Sequence, residues 1–198
     1  MAQAKFNSTS SRGFSLVEVL VSMTILTIVS LGVAQLFAIS ARANHTAKGQ
    51  TSTTALAEQK MEQLRSLTWG FDTEGQGLPV SDTSSNLSID PPDASGNGLN
   101  PSPSDTLRNS TGGYVDFLDA HGGYVGTGTT APPEAVFVRR WSVQPLPTNP
   151  NNTLILQVFV TPVANDKARM TGGAGAGQEL QRLPGDALLV SVKTRKAQ

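Results

Sequence analysis

The sequence predicts an α+β chain: a long N-terminal helix, transmembrane in its first half, packed on an antiparallel β-sheet head. Three observations carry that expectation. An almost uncharged apolar run covers residues 14–39. No proline follows it until Pro79, and the intervening residues repeat apolar side chains at helical spacing. Beyond residue 134, three runs rich in Val, Ile, Leu, Phe and Trp alternate with turn residues, as strands do. The implied division is a leader at 1–13, a membrane and assembly helix at 14–39, an amphipathic continuation at 40–69, a variable loop-rich αβ region at 70–134, and the sheet at 135–198.

Composition bounds the function before any motif does. With 198 residues the chain builds one ordinary core plus an appendage. Fifteen basic and fifteen acidic residues cancel, so no overall field recruits nucleic acid, and no nucleic-acid partner is expected. Nineteen glycines and twelve prolines, with charged residues at 15%, suit a loop-rich, weakly charged outer domain. Cysteine is absent, which removes disulfides, thiolate catalysis, iron–sulfur clusters and sulfur-ligated zinc together.

The apolar segment is about 26 residues long against the roughly 20 needed to cross a bilayer as helix. Its only ionisable side chain is Glu18. Ser22, Thr24, Thr27, Ser30 and Gln35 can return hydrogen bonds to the helix backbone or to neighbouring helices in lipid. Ahead of it, Met1–Gly13 carries Lys5 and Arg12 and no acid, so the positive-inside rule favours a cytoplasmic N-terminus with the remainder outside the inner membrane. A conventional secretory signal is the alternative, with Ala38-Ile39-Ser40 mimicking its cleavage site, but the apolar run exceeds the usual 7–15 residues.

The string Arg12-Gly13-Phe14-Ser15-Leu16-Val17-Glu18-Val19-Leu20 resembles the processing site of type IV prepilins and type II secretion pseudopilins. The resemblance implies that a membrane-embedded prepilin peptidase cuts after Gly13 and methylates the new N-terminus at Phe14. It makes Glu18 the family's characteristic fifth mature residue. It also implies a ladle-like fold, and as partners other pilin or pseudopilin subunits and an inner-membrane assembly platform. A carboxylate one turn inside lipid costs about 2.5–3.5 kcal/mol unless partnered. In the family's assembly scheme its partner is the positive N-terminus of the adjacent subunit, here Phe14. The plainer reading of Glu18 is an interfacial carboxylate that snorkels to water.

After Ile39 the helix pattern becomes amphipathic, with Ala57, Met61, Leu64 and Leu67 on one face and Glu58, Lys60, Glu62 and Arg65 mostly on the others. It is expected to end near Trp69-Gly70, with Gly70 as left-handed cap. A continuous helix of about 55 residues would reach roughly 80 Å, and Gly32 and Gly49 are its candidate bends. Many major pilins carry a proline near the position of Gln35; its absence here departs from that pattern and favours a minor pilin.

Residues 70–134 are dense in turn formers, including Asp90-Pro91-Pro92-Asp93 and Ser95-Gly96-Asn97-Gly98. Two Gly-Gly-Tyr-Val copies, at 112–115 and 122–125, suggest a hairpin turning around His121. Strands are expected at Ala135–Val143, Leu154–Thr161 and Ala187–Lys193, the first two joined through Asn149-Pro150-Asn151-Asn152. In the first, Phe137, Arg139, Trp141 and Val143 share a face opposite Val136, Val138 and Arg140. The third follows a glycine-rich stretch from Gly172 to Gly185, and its partner is not readable. Arg140-Trp141-Ser142-Val143 resembles minor pilins of the PilV kind.

No enzyme activity, metal or cofactor is expected. His45 and His121 lack ligand spacing, and Asp72/Glu74, Asp90/Asp93 and Asp116/Asp119 lack the calcium-loop pattern. The Gly172–Gly177 run has no preceding nucleotide-fold strand. The competing functions are a structural pilus or pseudopilus subunit, a signal-anchored periplasmic binding module, and an envelope enzyme.

Overall fold

The proline-free stretch forms one α-helix, α1 (Leu16–Ser66), of 51 residues. The structure, a computed structural model, describes residues 13–72, 77–171 and 180–195. Lys5, Arg12, Glu74 and most of the glycine-rich run lie outside the described residues. The chain divides into two compact units, residues 1–45 and 46–198. In the first, every described residue is exposed, and all of them from Leu16 onward are helical.

Among the described residues, the second unit contains the last turns of α1 and seven strands. These are β1 (Trp69–Phe71), β2 (Pro79–Ser81), β3 (Val115–Leu118), β4 (Tyr124–Gly126), β5 (Phe137–Pro145), β6 (Thr153–Pro162) and β7 (Ala187–Thr194). A short helix, α2 (Val163–Thr171), separates β6 from β7. β1 and β2 form a separate antiparallel pair, and the main sheet runs β4-β3-β5-β6-β7, antiparallel throughout.

The three strands expected from sequence are β5, β6 and β7, displaced at their ends by one or two residues. Asn149–Asn152 closes the β5–β6 hairpin, where Asn152 and Thr153 donate back to the Asn149 carbonyl. A hairpin does turn around His121, with Asp119 accepting the amides of His121 and Gly123 at 2.7 and 2.8 Å, but the two Gly-Gly-Tyr-Val copies do not face each other: β3 pairs antiparallel with β4 through Phe117↔Gly126 and Leu118↔Tyr124, so the first copy lies ahead of the paired stretch. The turn sits tightly against α1. Gly122 has φ +83°, and a Cβ there would come within 2.7 Å of Leu56 Cδ2.

Alternation sorts the sheet into two faces. On one, Phe137, Trp141, Val143, Leu154, Leu156, Val158 and Val160 join Ala57, Met61 and Leu64 of α1 in a single apolar cluster. The expected stripe is therefore the core-facing side of the helix, with Leu67 partly buried at its end. On the other face Val115, Phe117 and Val138 form a smaller cluster with Ala135. The loop between β2 and β3 folds on itself at an Asn86–Asp93 bridge. Gly96 is required there, because a Cβ would fall 2.1 Å from the Asn86 Cα.

Two expectations about α1 are corrected. The helix stops at Ser66, and Trp69 and Gly70 belong to β1, with Gly70 outside the left-handed region. The reason is Arg195, whose guanidinium stacks 3.6 Å from the Trp69 ring centroid and donates to the Gly70 and Val80 carbonyls, tying β1 and β2 to the end of β7. Lys60 is not on a solvated face: it is 1% exposed and belongs to the buried side of α1. Glu62 and Arg65 do lie in solvent and pair with each other at 3.0 Å.

Candidate processing and assembly site

Gly13 and Phe14 precede the helix, and Glu18 lies in its first turn. An added Cβ at Gly13 would meet nothing, so the chain's own packing makes no demand for glycine at that position. Phe14 is 83% exposed. Leu16, Val17, Val19, Leu20, Val21 and a further row of apolar residues to Ile39 are exposed as well. A water-facing surface of that extent has no physical basis, and lipid or neighbouring helices are its natural solvent. The helix is long and apolar enough to cross a membrane.

Three hydroxyl groups of this segment satisfy themselves locally. Ser22 Oγ donates to the Glu18 carbonyl at 2.7 Å, Thr24 Oγ1 to Leu20 at 2.8 Å, and Thr27 Oγ1 to Met23 at 2.7 Å. These bonds remove most of the cost of hydroxyls in hydrocarbon. Glu18 is the exception: its carboxylate is exposed and is the only acid on the apolar stretch. At the N-terminal end of a helix it also meets the positive end of the backbone dipole.

The head contains two buried ion networks that sequence reasoning missed. On the α1 side of the sheet, Asp116 of β3 receives Lys60 at 2.8 Å and both Arg139 Nε and Nη2, at 2.9 and 2.8 Å. Lys60 also donates to the Leu87 carbonyl and lies 4.4 Å from the Trp141 ring centroid. Burial pushes its ammonium pKa down to about 8, against the opposing attraction of Asp116. On the other side, Arg140 makes a two-pronged pair with Asp166 of α2, and Arg169 joins Asp166 to Asp186. Asp186 accepts also from Thr161, Asn165 and the Leu183 amide. The adjacent basic residues Arg139 and Arg140, alternating in a strand, were the available signal for both.

These networks hold elements of the head together: α1 to β3 and β5, and α2 to β5 and the start of β7. Asp116, considered above with Asp119 as a calcium pair, is instead saturated by two cations, while Asp119 holds its own turn. Among the described residues no group of three or more His, Asp or Glu could hold a metal ion. His121 occupies the β3–β4 turn and His45 the exposed helix. A cavity of about 480 Å³ opens beside Ser142, Gln144 and Gln157, under the loop at Pro103–Arg108.

Residues 8–34 match a family model described as the prokaryotic N-terminal methylation motif. No curated protein and no solved structure matches the chain. The matched stretch includes Gly13, Phe14 and Glu18, and the motif is the signature of type IV pilins and pseudopilins. A long N-terminal helix followed by an antiparallel sheet is the pilin-like α+β arrangement.

Proposed function

We propose that this chain, which carries the methylation motif of pilin-like and pseudopilin proteins, is a minor pilin-like subunit of a type IV pilus. The observation that carries the reading is the motif placed on an exposed, membrane-length helix. Prepilin peptidase would cut between Gly13 and Phe14 and methylate the Phe14 nitrogen. The processed chain would wait in the inner membrane, its head outside. Glu18 would pair with the positive N-terminus of a neighbouring subunit during entry into the fibre, because in hydrocarbon each charge lacks any cheaper partner. The exposed apolar helix supplies adhesion through close packing. The role is structural, and the chain acts as a peptidase's substrate.

The assignment to a minor rather than a major subunit rests on Gln35, which stands where many major pilins have proline, within an uninterrupted helix. Shearing fibres from cells and probing them for this chain tests the reading. A small share relative to the major subunit is expected. Recovery solely in the membrane fraction, in cells that make fibres, would contradict it.

A further inference from the structure

Alternation along β5 and β6 puts Trp141, Val143, Leu156 and Val158 against α1, and Ser142, Gln144 and Gln157 on the opposite face of the sheet. There the cavity of about 480 Å³ opens, within the size range of small-ligand sites. Its floor is Ser142, Gln144 and Gln157, with Ser142 and Gln157 directly opposite each other across the two strands. Its wall is the loop at Pro103–Arg108. Ser102 pins that loop to the floor: its hydroxyl accepts the Val143 amide at 3.1 Å and Gln144 Nε2 at 3.0 Å, and lies 3.0 Å from Ser142 Oγ. Gln144 Nε2 also donates to the Ser102 carbonyl at 2.9 Å. Buried hydrogen bonds thus hold the cavity open before any ligand arrives, which lowers the ordering cost of binding.

The groups that this framework leaves unused define the ligand. Gln157 is half-buried, and among the described residues its amide has no hydrogen-bond partner. Gln144 commits its Nε2 to Ser102 and keeps Oε1 free. Asp105, in left-handed backbone at φ +61°, is exposed and pairs with no cation among the described residues. Asp105 and Arg108 are the charged residues of the lining. Their charges cancel, so the site suits neither an anion nor a bare cation. Its apolar members are Pro103, Leu107 and Leu180, with no aromatic ring among the described lining residues, which is too little apolar surface for a lipid chain. β5 and β6 are interior strands with a neighbour on each side, so an extended peptide finds no open backbone edge on the floor. Recognition falls to side chains.

We propose that this cavity binds a neutral sugar residue. A pyranose is a ring of hydroxyls, each both donor and acceptor, and neighbouring hydroxyls match the paired atoms of an amide or a carboxylate. Gln157 offers a donor and an acceptor together, Asp105 two acceptors, and Gln144 Oε1 a further one. A ligand of the same size without hydroxyls would leave these groups unpaired and be rejected. The site lies wholly within the second compact unit and rests on no part of the pilin reading.

Saturation-transfer NMR on the full chain tests this, in lauryldimethylamine oxide, a detergent that carries no sugar. The probes are glucose, galactose, N-acetylglucosamine and the glucose polymer dextran, with N-acetylneuraminic acid as the acidic comparison. At least one neutral sugar should receive saturation, with a dissociation constant on the order of 1 mM, as expected for so small a polar ligand. Gln157→Leu and Asp105→Asn, the latter compatible with left-handed backbone, should each weaken binding by about tenfold. Asp90→Asn removes an exposed acid outside the lining and should leave binding unchanged. All three variants should keep the tryptophan emission of the wild-type fold, and if Gln157→Leu does not, Asp105→Asn decides alone. Transfer to a free sugar but not to dextran supports a small soluble ligand, and transfer to dextran supports a chain within a polysaccharide. Absence of transfer to every neutral sugar overturns the proposal. A preference for N-acetylneuraminic acid overturns it too, as does binding that survives the substitutions at Gln157 and Asp105. None of these outcomes depends on cleavage at Gly13.

Discussion

Lys60 on α1 and Asp116 on β3 meet at 2.8 Å, with side chains 1% and 2% exposed. Arg139 binds the same carboxylate, so one buried acid serves two buried cations. Removal of the acid strands both positive charges, whereas removal of Lys60 leaves a balanced Arg139–Asp116 pair. Asp116→Ala should therefore destabilise the fold by about 3–5 kcal/mol, and Lys60→Met by at least about 2 kcal/mol less. Denaturant unfolding of the detergent-solubilised chain checks this, followed by the fluorescence of Trp141, which Lys60 overlies.

The same lysine sets a pH dependence. Folding lowers its pKa from 10.5 to about 8, chiefly by burial. Between those values the unfolded chain holds the proton that the folded chain has released, so this group's contribution to stability rises with pH across that window and is flat below it. At about 1.4 kcal/mol per pKa unit, the stability of wild type relative to Lys60→Met should climb by on the order of 3 kcal/mol from below pH 8 to 10.5. A difference that falls or stays constant would show that Lys60 is not desolvated as described.

Two glycines test the close approaches in the head. Gly96→Ala drives a Cβ into the Asn86 backbone, which cannot move aside without breaking the Asn86–Asp93 bridge. It should accelerate amide exchange at Asn86, Gly96 and Gly98, whose amides bond within this loop. Gly122→Ala meets only the end of the flexible Leu56 side chain. It combines that contact with left-handed backbone strain, and should cost about 1–2 kcal/mol.

Cleavage and assembly should separate genetically. Glu18→Ala keeps the Gly13-Phe14 junction, and should be processed normally yet enter fibres poorly. Equal incorporation of Glu18→Ala and wild type, measured in sheared fibres, would refute the pairing role given to Glu18.

The parts of this molecule that announce themselves in sequence are local. The apolar run, the Gly13–Glu18 pattern and the alternation of β5 to β7 each use neighbouring residues, and the β3–β4 turn around His121 is legible too, although the two Gly-Gly-Tyr-Val copies do not pair with each other. What sequence hid depends on distant partners. Lys60 reads as a solvated charge because Asp116 and Arg139, which make its burial tolerable, lie on strands far along the chain. Trp69 read as a helix end because Arg195, which draws it into β1, comes near the opposite end of the sequence. α2 is nine residues of mixed polarity, held by Arg140 and Asp186 rather than by an apolar stripe, so no periodicity signalled it. The motif containing Gly13, Phe14 and Glu18 was legible because it is local, and under the proposed function it is read by an external peptidase and not by the fold.

The central claim is tested most directly by the mass and N-terminal sequence of the chain extracted from membranes of cells that contain a prepilin peptidase. A chain beginning at Phe14 and carrying one added methyl group on its N-terminal nitrogen is the predicted result. A chain beginning at Ala41, or retaining Met1 despite an active peptidase, would contradict it.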